Sequence, residues 1–151
     1  MDARRNAALK GVRILAVEDQ PDLREMLILL LEQQGAEVTG CESAQQAYAA
    51  IVSGEVFDAA LFDISMPGED GLALVQRLRR WESQEAPGHL PVIALTAHVS
   101  PEMRRQCEAA GFDHYLPKPL SPGALVTTIR RVAHLHLGAG TDPSGGSHRQ
   151  P

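Results

Sequence analysis

Residues 59–68 read AALFDISMPG, and the rest of the chain is organised around this stretch. The run 57–62 is almost entirely apolar and is too short for a helix, so it predicts a buried strand. Pro67 and Gly68 then indicate a loop. Asp63 is therefore expected at the carboxyl end of a strand, which is where ligands bind in open α/β sheets.

Three other predicted strands also end in polar side chains. The first strand runs into Glu18 and Asp19, the fourth into Thr96 and the fifth, through a proline, into Lys118. A single Asp such as Asp63 at a strand end usually only caps a turn. If these strands are parallel and adjacent, however, three carboxylates, one hydroxyl and one ammonium converge at one edge of the sheet.

Hydrophobic periodicity predicts five strands that alternate with five helices. The predicted strands are residues 12–17, 36–40, 57–62, 91–95 and 113–116. The predicted helices begin near Pro21, Ala44, Gly71, Pro101 and Pro122, the second, fourth and fifth behind a serine cap. Strict alternation implies a parallel sheet covered on both faces. We therefore expect a doubly wound, flavodoxin-like (βα)5 α/β fold with strand order 2-1-3-4-5.

The chain is expected to form one domain. Residues 1–10 are polar and are interpreted as an N-terminal leader, and residues 11–137 form the domain. The segment 138–151 is rich in Gly, Ser and Pro and cannot bury an apolar face, so it is predicted to be a disordered tail or linker.

Composition narrows the class of protein. The chain has 151 residues, 44% of them hydrophobic, and a net charge of −5, whereas a basic domain would be expected of a nucleic-acid binder. No apolar run reaches the length of a membrane span, and no signal peptide is recognisable, so we expect a cytoplasmic protein without direct membrane contact. Cys41 and Cys107 are far apart in sequence and are expected to be reduced.

Three carboxylates at one edge of a sheet repel one another. Two unit charges about 5 Å apart cost roughly 3 kcal/mol at an effective dielectric constant of 20. Such a cluster takes up a proton or binds a cation, and oxygen ligands with room for water suit Mg²⁺. Asp19 and Asp63 are the candidate direct ligands; the backbone carbonyl of Ser65 would add a third, and Glu18 would act mainly through a bound water.

The same groups suit phosphoryl transfer. A carboxylate can attack phosphorus, provided that the equatorial oxygens are neutralised and held. Mg²⁺ would take one oxygen, the Lys118 ammonium another, and the Thr96 hydroxyl with the N–H of Ala97 a third. Asp63 would become the aspartyl phosphate.

These motifs resemble the receiver domain of two-component response regulators. The resemblance rests on the acidic pair Glu18-Asp19, on Asp-x-x-Met-Pro-Gly-x-x-Gly in residues 63–71, on Thr96-Ala97 and on Lys118-Pro119. Each motif alone is weak, but all four in order over about residues 11–137 are specific. Residues 9–15 and 90–98 look most like receivers attached to hybrid sensor histidine kinases.

The resemblance implies a function in phosphorelay signalling. A histidine kinase or histidine phosphotransfer domain would be the partner, its phosphohistidine would donate to Asp63, and Mg²⁺ would be required. The domain would catalyse its own phosphorylation and dephosphorylation, and would belong to a dedicated enzyme only as part of a hybrid histidine kinase. The sequence leaves open whether it forms a homodimer.

The resemblance also assigns roles to individual residues. Thr96 would be drawn toward the phosphate and let Tyr115 rotate inward, which is the switch of the family. The Lys118–Pro119 bond would be cis. Ser65 and His98 would flank the attacking water, and we hypothesise that they set the lifetime of the phosphoryl group.

Three other functions occur on folds of this kind, and two of them require a motif that this chain lacks. A degenerate receiver would act as an interaction module without phosphorylation. A Mg²⁺-dependent aspartyl-phosphate phosphatase of the haloacid-dehalogenase type needs Asp-x-Asp after the first strand, and Glu18-Asp19-Gln20 does not supply it. A flavodoxin-like cofactor binder needs a phosphate-cradling loop where this chain has acids.

Overall fold

The computed structural model describes residues 7–64, 70–85 and 88–141. Its sheet has five parallel strands in the order 2-1-3-4-5, which confirms the predicted fold class. The strands are β1 (Arg13–Val17), β2 (Glu37–Cys41), β3 (Ala59–Asp63), β4 (Val92–Thr96) and β5 (His114–Pro117).

Five helices connect and follow the strands: α1 (Pro21–Gln33), α2 (Ala44–Val52), α3 (Gly71–Glu85), α4 (Pro101–Ala110) and α5 (Pro122–Thr141). The predicted serine caps are present at three of them. The hydroxyls of Ser43, Ser100 and Ser121 accept hydrogen bonds from backbone N–H groups three residues later, at 3.1, 3.0 and 3.3 Å.

Two hydrophobic clusters cover the faces of the sheet. Successive residues of β3 point alternately into them, so that Ala60 and Phe62 belong to one cluster and Ala59 and Leu61 to the other. Every residue of β3 and β4 is buried. Burial of this central pair fixes Asp63, the last residue of β3, at the rim of the sheet.

The amino-terminal boundary of the fold differs from the prediction. Leu9 was assigned to a leader, but it is 0% exposed and packs in the cluster that lies between the sheet and helices α1 and α5. Its N–H donates to the carbonyl of Gln34 at 2.8 Å, and its own carbonyl accepts from Val12. One leucine between Ala8 and Lys10 carries no periodic signal, so the sequence did not reveal that it closes the core.

Helix α5 also extends past its predicted end. It continues to Thr141, whereas the sequence predicts that the domain ends at 137 and that a tail begins at 138. Glycine costs about 1 kcal/mol relative to alanine within a helix, but an established helix gains a hydrogen bond with each added residue. Residues 142–151 of the predicted tail lie outside the described residues. Within the described part of the chain, no helix is long and apolar enough to cross a membrane.

Candidate functional site

Four predicted site residues meet at the carboxyl ends of β1, β3 and β5. Carboxylate oxygens of Glu18, Asp19 and Asp63 all lie within 4.8 Å of one another. The Nζ atom of Lys118 is 3.2 Å from Glu18 Oε1 and 3.2 Å from Asp63 Oδ1. The structure thus brings together groups that are up to 100 residues apart in sequence.

The backbone holds each of these residues by extending the strand ladders. The N–H of Glu18 donates to Cys41 at 3.0 Å, and the N–H of Lys118 donates to the carbonyl of Thr96 at 2.7 Å. Helix α3 begins against the end of β3, where a Cβ on Gly71 would lie 2.6 Å from the carbonyl oxygen of Asp63. A glycine is therefore required there for the helix to approach the acceptor strand.

Burial sharpens the electrostatics of the site. Glu18 is 2% exposed and Asp63 is 4% exposed, whereas Asp19 is half-buried. Desolvation and then the neighbouring Asp63 raise the pKa of Glu18, against the opposing effect of Lys118 and of the Gln20 N–H, which donates to Glu18 Oε2 at 3.3 Å. The protonated form of the Glu18 carboxyl is thus more favoured than it is in an exposed glutamate.

Lys118 responds in the opposite direction. Burial alone lowers the pKa of its ammonium, but the carboxylates of Asp63 and Glu18 outweigh burial, and the pKa of Lys118 lies above its ordinary value. Lys118 therefore stays charged at neutral pH, and its ammonium contacts two of the three carboxyl groups, those of Glu18 and Asp63.

The donor set fits a hard divalent cation. Oxygen ligands of one Mg²⁺ ion lie about 2.0–2.1 Å from it, which puts them about 3–4 Å from each other. One oxygen from each of the three carboxylates lies within 4.8 Å of the others, which is near this spacing. Asp19 and Asp63 are well placed to hold the ion with Glu18 beside them. Ser65, the remaining predicted ligand, lies outside the described residues.

The Thr96 hydroxyl is engaged with its own loop. Thr96 is 3% exposed; its Oγ1 accepts from the His98 N–H at 2.9 Å and donates to the His98 carbonyl at 3.2 Å. The neighbouring Ala97 is exposed and, like Lys118, borders a groove at this rim. The side chain of His98 is exposed.

Tyr115 is half-buried, and an arginine holds its hydroxyl. The Nε atom of Arg104 donates to the Tyr115 hydroxyl at 3.2 Å, and the guanidinium carbon lies 5.3 Å from the centre of the ring. In the sequence, nothing distinguishes Arg104 from a solvated arginine on a helix face. The Lys118–Pro119 peptide bond is cis, as the resemblance implies.

An apolar groove of about 520 Å³ borders the acids. It runs between α1 and the loop that follows β5, and it shares Glu18 and Lys118 with the site. Its apolar lining includes Leu23 and Met26, whose exposed fractions are 36% and 59%. The sequence explained these side chains only as the helical periodicity of α1.

Several known proteins are similar to this chain. The sensor protein GacS of Pseudomonas syringae is 38% identical over 128 residues, which cover 85% of this chain and 14% of GacS. The sensory/regulatory protein RpfC of Xanthomonas campestris is 34% identical over 86% of this chain and 18% of its own length. The chain thus spans less than a fifth of these sensor proteins, in agreement with the expected likeness to receivers attached to sensor kinases.

Solved structures are also similar to this chain. The receiver domain of the Pseudomonas aeruginosa sensor histidine kinase PA1611, with magnesium coordinated in its active-site cleft, has a TM-score of 0.71 at 30% identity and covers 82% of this chain and 98% of that one. The chemotaxis protein CheY4 of Vibrio cholerae has the same TM-score and identity over 80% of this chain and 98% of that one. The model of the response regulator receiver domain matches residues 14–130, and the chain therefore belongs to this family of two-component signalling domains.

Proposed function

We propose that this receiver domain accepts a phosphoryl group on Asp63 from the phosphohistidine of a histidine kinase or a histidine phosphotransfer domain, with Mg²⁺ held by Asp19 and Asp63. The observation that supports this most is the position of the Asp63 carboxylate. It lies 3.2 Å from the Lys118 ammonium and within 4.8 Å of two other carboxylates.

The proposed transfer uses Asp63 as the nucleophile. A carboxylate oxygen forms a bond to phosphorus while the bond from phosphorus to the donor imidazole nitrogen breaks, and the electron pair leaves with the imidazole. Mg²⁺, when bound, supplies positive charge to a phosphoryl oxygen. Lys118 stabilises a second oxygen as a fixed point charge, since its raised pKa keeps it protonated. Burial of Asp63 limits competing contact with water.

The proposed switch begins from contacts present in this structure. To reach a phosphoryl oxygen, the Thr96 hydroxyl gives up its bonds to His98, and inward rotation of Tyr115 breaks its bond to Arg104. Moving a two-state equilibrium from 1:99 to 99:1 takes about 5.5 kcal/mol. A phosphoryl dianion that recruits Thr96 and Lys118 provides differential stabilisation of this kind. The roles of Ser65 and His98 in phosphoryl lifetime remain part of the proposal.

The apolar groove supports a protein donor. The phosphohistidine must approach Asp63 from the solvent side of the rim, and the exposed Met26 and Leu23 flank that approach. An apolar surface contiguous with Glu18 and Lys118 suits the partner that carries the phosphohistidine.

Intact mass measurement after exposure to acetyl phosphate tests this function. With Mg²⁺ the protein should gain the mass of one phosphoryl group, and it should gain none in EDTA. Asp63→Asn, the isosteric control, should remain unmodified. A wild-type protein that stays unmodified would favour the phosphorylation-independent interaction module, and modification of Asp63→Asn would place the acceptor elsewhere.

A further inference from the structure

An arginine on α1 contacts the backbone of the loop that carries Glu18 and Asp19. Arg24 Nη1 donates to the carbonyl oxygen of Glu18 at 2.9 Å and lies 3.5 Å from the carbonyl oxygen of Asp19. These contacts are to the backbone, so the guanidinium leaves the carboxylates of both residues available. The N–H of Arg24 also donates to the carbonyl of Gln20 at 2.9 Å, which ties the same loop to the first turn of the helix.

The position of the Asp19 carboxylate depends more on the loop backbone than the positions of the Glu18 and Asp63 carboxylates do. Lys118 and the N–H of Gln20 hold the Glu18 carboxylate, and Lys118 contacts that of Asp63. Among the residues that the structure describes, the Asp19 carboxylate has no hydrogen bond or ion pair. The conformation of the loop therefore decides where this carboxylate points.

The stem of Arg24 is itself positioned by packing. It lies half-buried over β2, where a Cβ on Gly40 would be 3.7 Å from Arg24 Cδ and 2.6 Å from Ile28 Cδ1. The glycine leaves the space that Ile28 occupies, and the Arg24 stem lies at ordinary contact distance beside it. The stem thus passes along β2 toward the loop, where the guanidinium contacts the carbonyls of Glu18 and Asp19.

We infer that Arg24 is a positioning residue of the divalent-cation site: by binding the carbonyls of Glu18 and Asp19, it presets the Asp19 carboxylate for the ion. This inference rests on the proposed function and adds a residue to it. Outer partners that orient metal ligands typically contribute about 10- to 100-fold to metal affinity. The guanidinium beside the site also repels a divalent cation. If this repulsion outweighed the positioning, removal of Arg24 would strengthen Mg²⁺ binding.

Calorimetric titration with Mg²⁺ separates the two effects. Arg24→Met keeps the apolar stem over Gly40 and removes the donors, and its dissociation constant for Mg²⁺ should rise about 10-fold or more. Arg24→Lys keeps a cation that reaches one carbonyl and should fall between Met and wild type. Arg105→Met, an exposed arginine on α4, is the matched control and should bind Mg²⁺ like the wild type.

A second measurement distinguishes positioning from general damage. In phosphorylation by acetyl phosphate, the Mg²⁺ concentration for half-maximal rate should rise in Arg24→Met by the same factor as the dissociation constant, while the rate at saturating Mg²⁺ is preserved. Unchanged or tighter Mg²⁺ binding in Arg24→Met, or a lower limiting rate at unchanged affinity, would overturn the inference. A wild-type protein that binds no Mg²⁺ would instead overturn the proposed function.

Discussion

The two rims of the sheet differ in how their charged side chains are paired. At the rim formed by the amino ends of β4 and β5, Arg79 donates to the carboxylates of Glu82 and Asp113 at 2.9 Å each, and to the carbonyls of Leu90 and Gly111 at 2.9 and 3.0 Å. One guanidinium thus joins α3, the loop before β4 and the turn before β5.

The acids of this rim are also satisfied by the backbone. Asp113 Oδ2 accepts from the Val92 N–H at 2.8 Å, and Glu82 Oε2 accepts from the Leu90 N–H at 2.7 Å. At the opposite rim, the carboxyl groups of Glu18, Asp19 and Asp63 cluster, and the Lys118 ammonium contacts two of them, Glu18 and Asp63. From this difference we expect the matched charges to hold elements together, and the excess acids to reduce stability and to be available to a ligand.

The largest effect is expected from removing the ammonium of the acidic rim. In Lys118→Met, the rate of phosphorylation by acetyl phosphate at saturating Mg²⁺ should fall about 100- to 1000-fold, the usual loss when one preorganised donor to a developing charge is removed. Time-resolved intact mass measures the rate. Lys10→Met, an exposed lysine far from the site, should behave like the wild type. A Lys118→Met rate within a few-fold of wild type would contradict the role given to the ammonium.

A substitution at the rim that contains Arg79 should change the stability of the fold and not the rate of phosphorylation. Arg79→Met removes the guanidinium that pairs with Glu82 and Asp113, and we expect the free energy of unfolding to drop by about 2 kcal/mol, since these ion pairs are partly buried. Urea unfolding measures the loss, and Arg80→Met, its exposed neighbour, is the control with the same change in charge. If Arg79→Met were as stable as Arg80→Met, the network would not have the structural role assigned to it.

Neutralising an acid at the rim that contains Glu18, Asp19 and Asp63 should instead raise the stability of the fold. Asp19→Asn removes a charge whose oxygen lies within 4.8 Å of two other carboxylates, and in EDTA it should raise the free energy of unfolding by about 1 kcal/mol. Glu25→Gln, an exposed acid on α1, makes the same change in net charge and should leave stability unchanged. A destabilised Asp19→Asn would show that Asp19 has a structural role instead.

The smallest expected effect is a pH dependence due to Glu18. Its pKa is raised above 4.5 in the folded state, mainly by burial, so the folded protein binds this proton more tightly than the unfolded chain does. The contribution of Glu18 to stability is therefore greatest below pH 4.5 and is lost as pH rises toward the folded pKa. Urea unfolding in EDTA across this range should show that Glu18→Gln lacks this loss. A wild-type contribution that grew with pH would reverse the sign of the argument.

Much of the fold followed from local patterns. Apolar runs, serine caps and glycines defined the elements, and strict alternation of strands and helices predicted a doubly wound parallel sheet, whose expected order 2-1-3-4-5 the structure confirms. The convergence of Glu18, Asp63 and Lys118 also followed, because the carboxyl ends of parallel strands meet at one rim.

The arginines were beyond sequence reasoning. Arg24, Arg79 and Arg104 bind carbonyls, carboxylates or a phenol through long side chains that have many rotamers, and the partners of Arg79 lie up to 34 residues away. Nothing in the spacing of an arginine on a helix distinguishes such a contact from a solvated charge. Leu9 was missed for a related reason, since only the closed core shows the space that it fills.

The central claim is that the acidic rim is built with an excess of negative charge for a cation and a phosphoryl group. The most direct test is the melting temperature of the unphosphorylated protein as Mg²⁺ is titrated at constant ionic strength. The wild type should be stabilised progressively until the site saturates, and Asp19→Asn should show little response. A wild-type melting temperature that is the same with Mg²⁺ and with EDTA would contradict the claim.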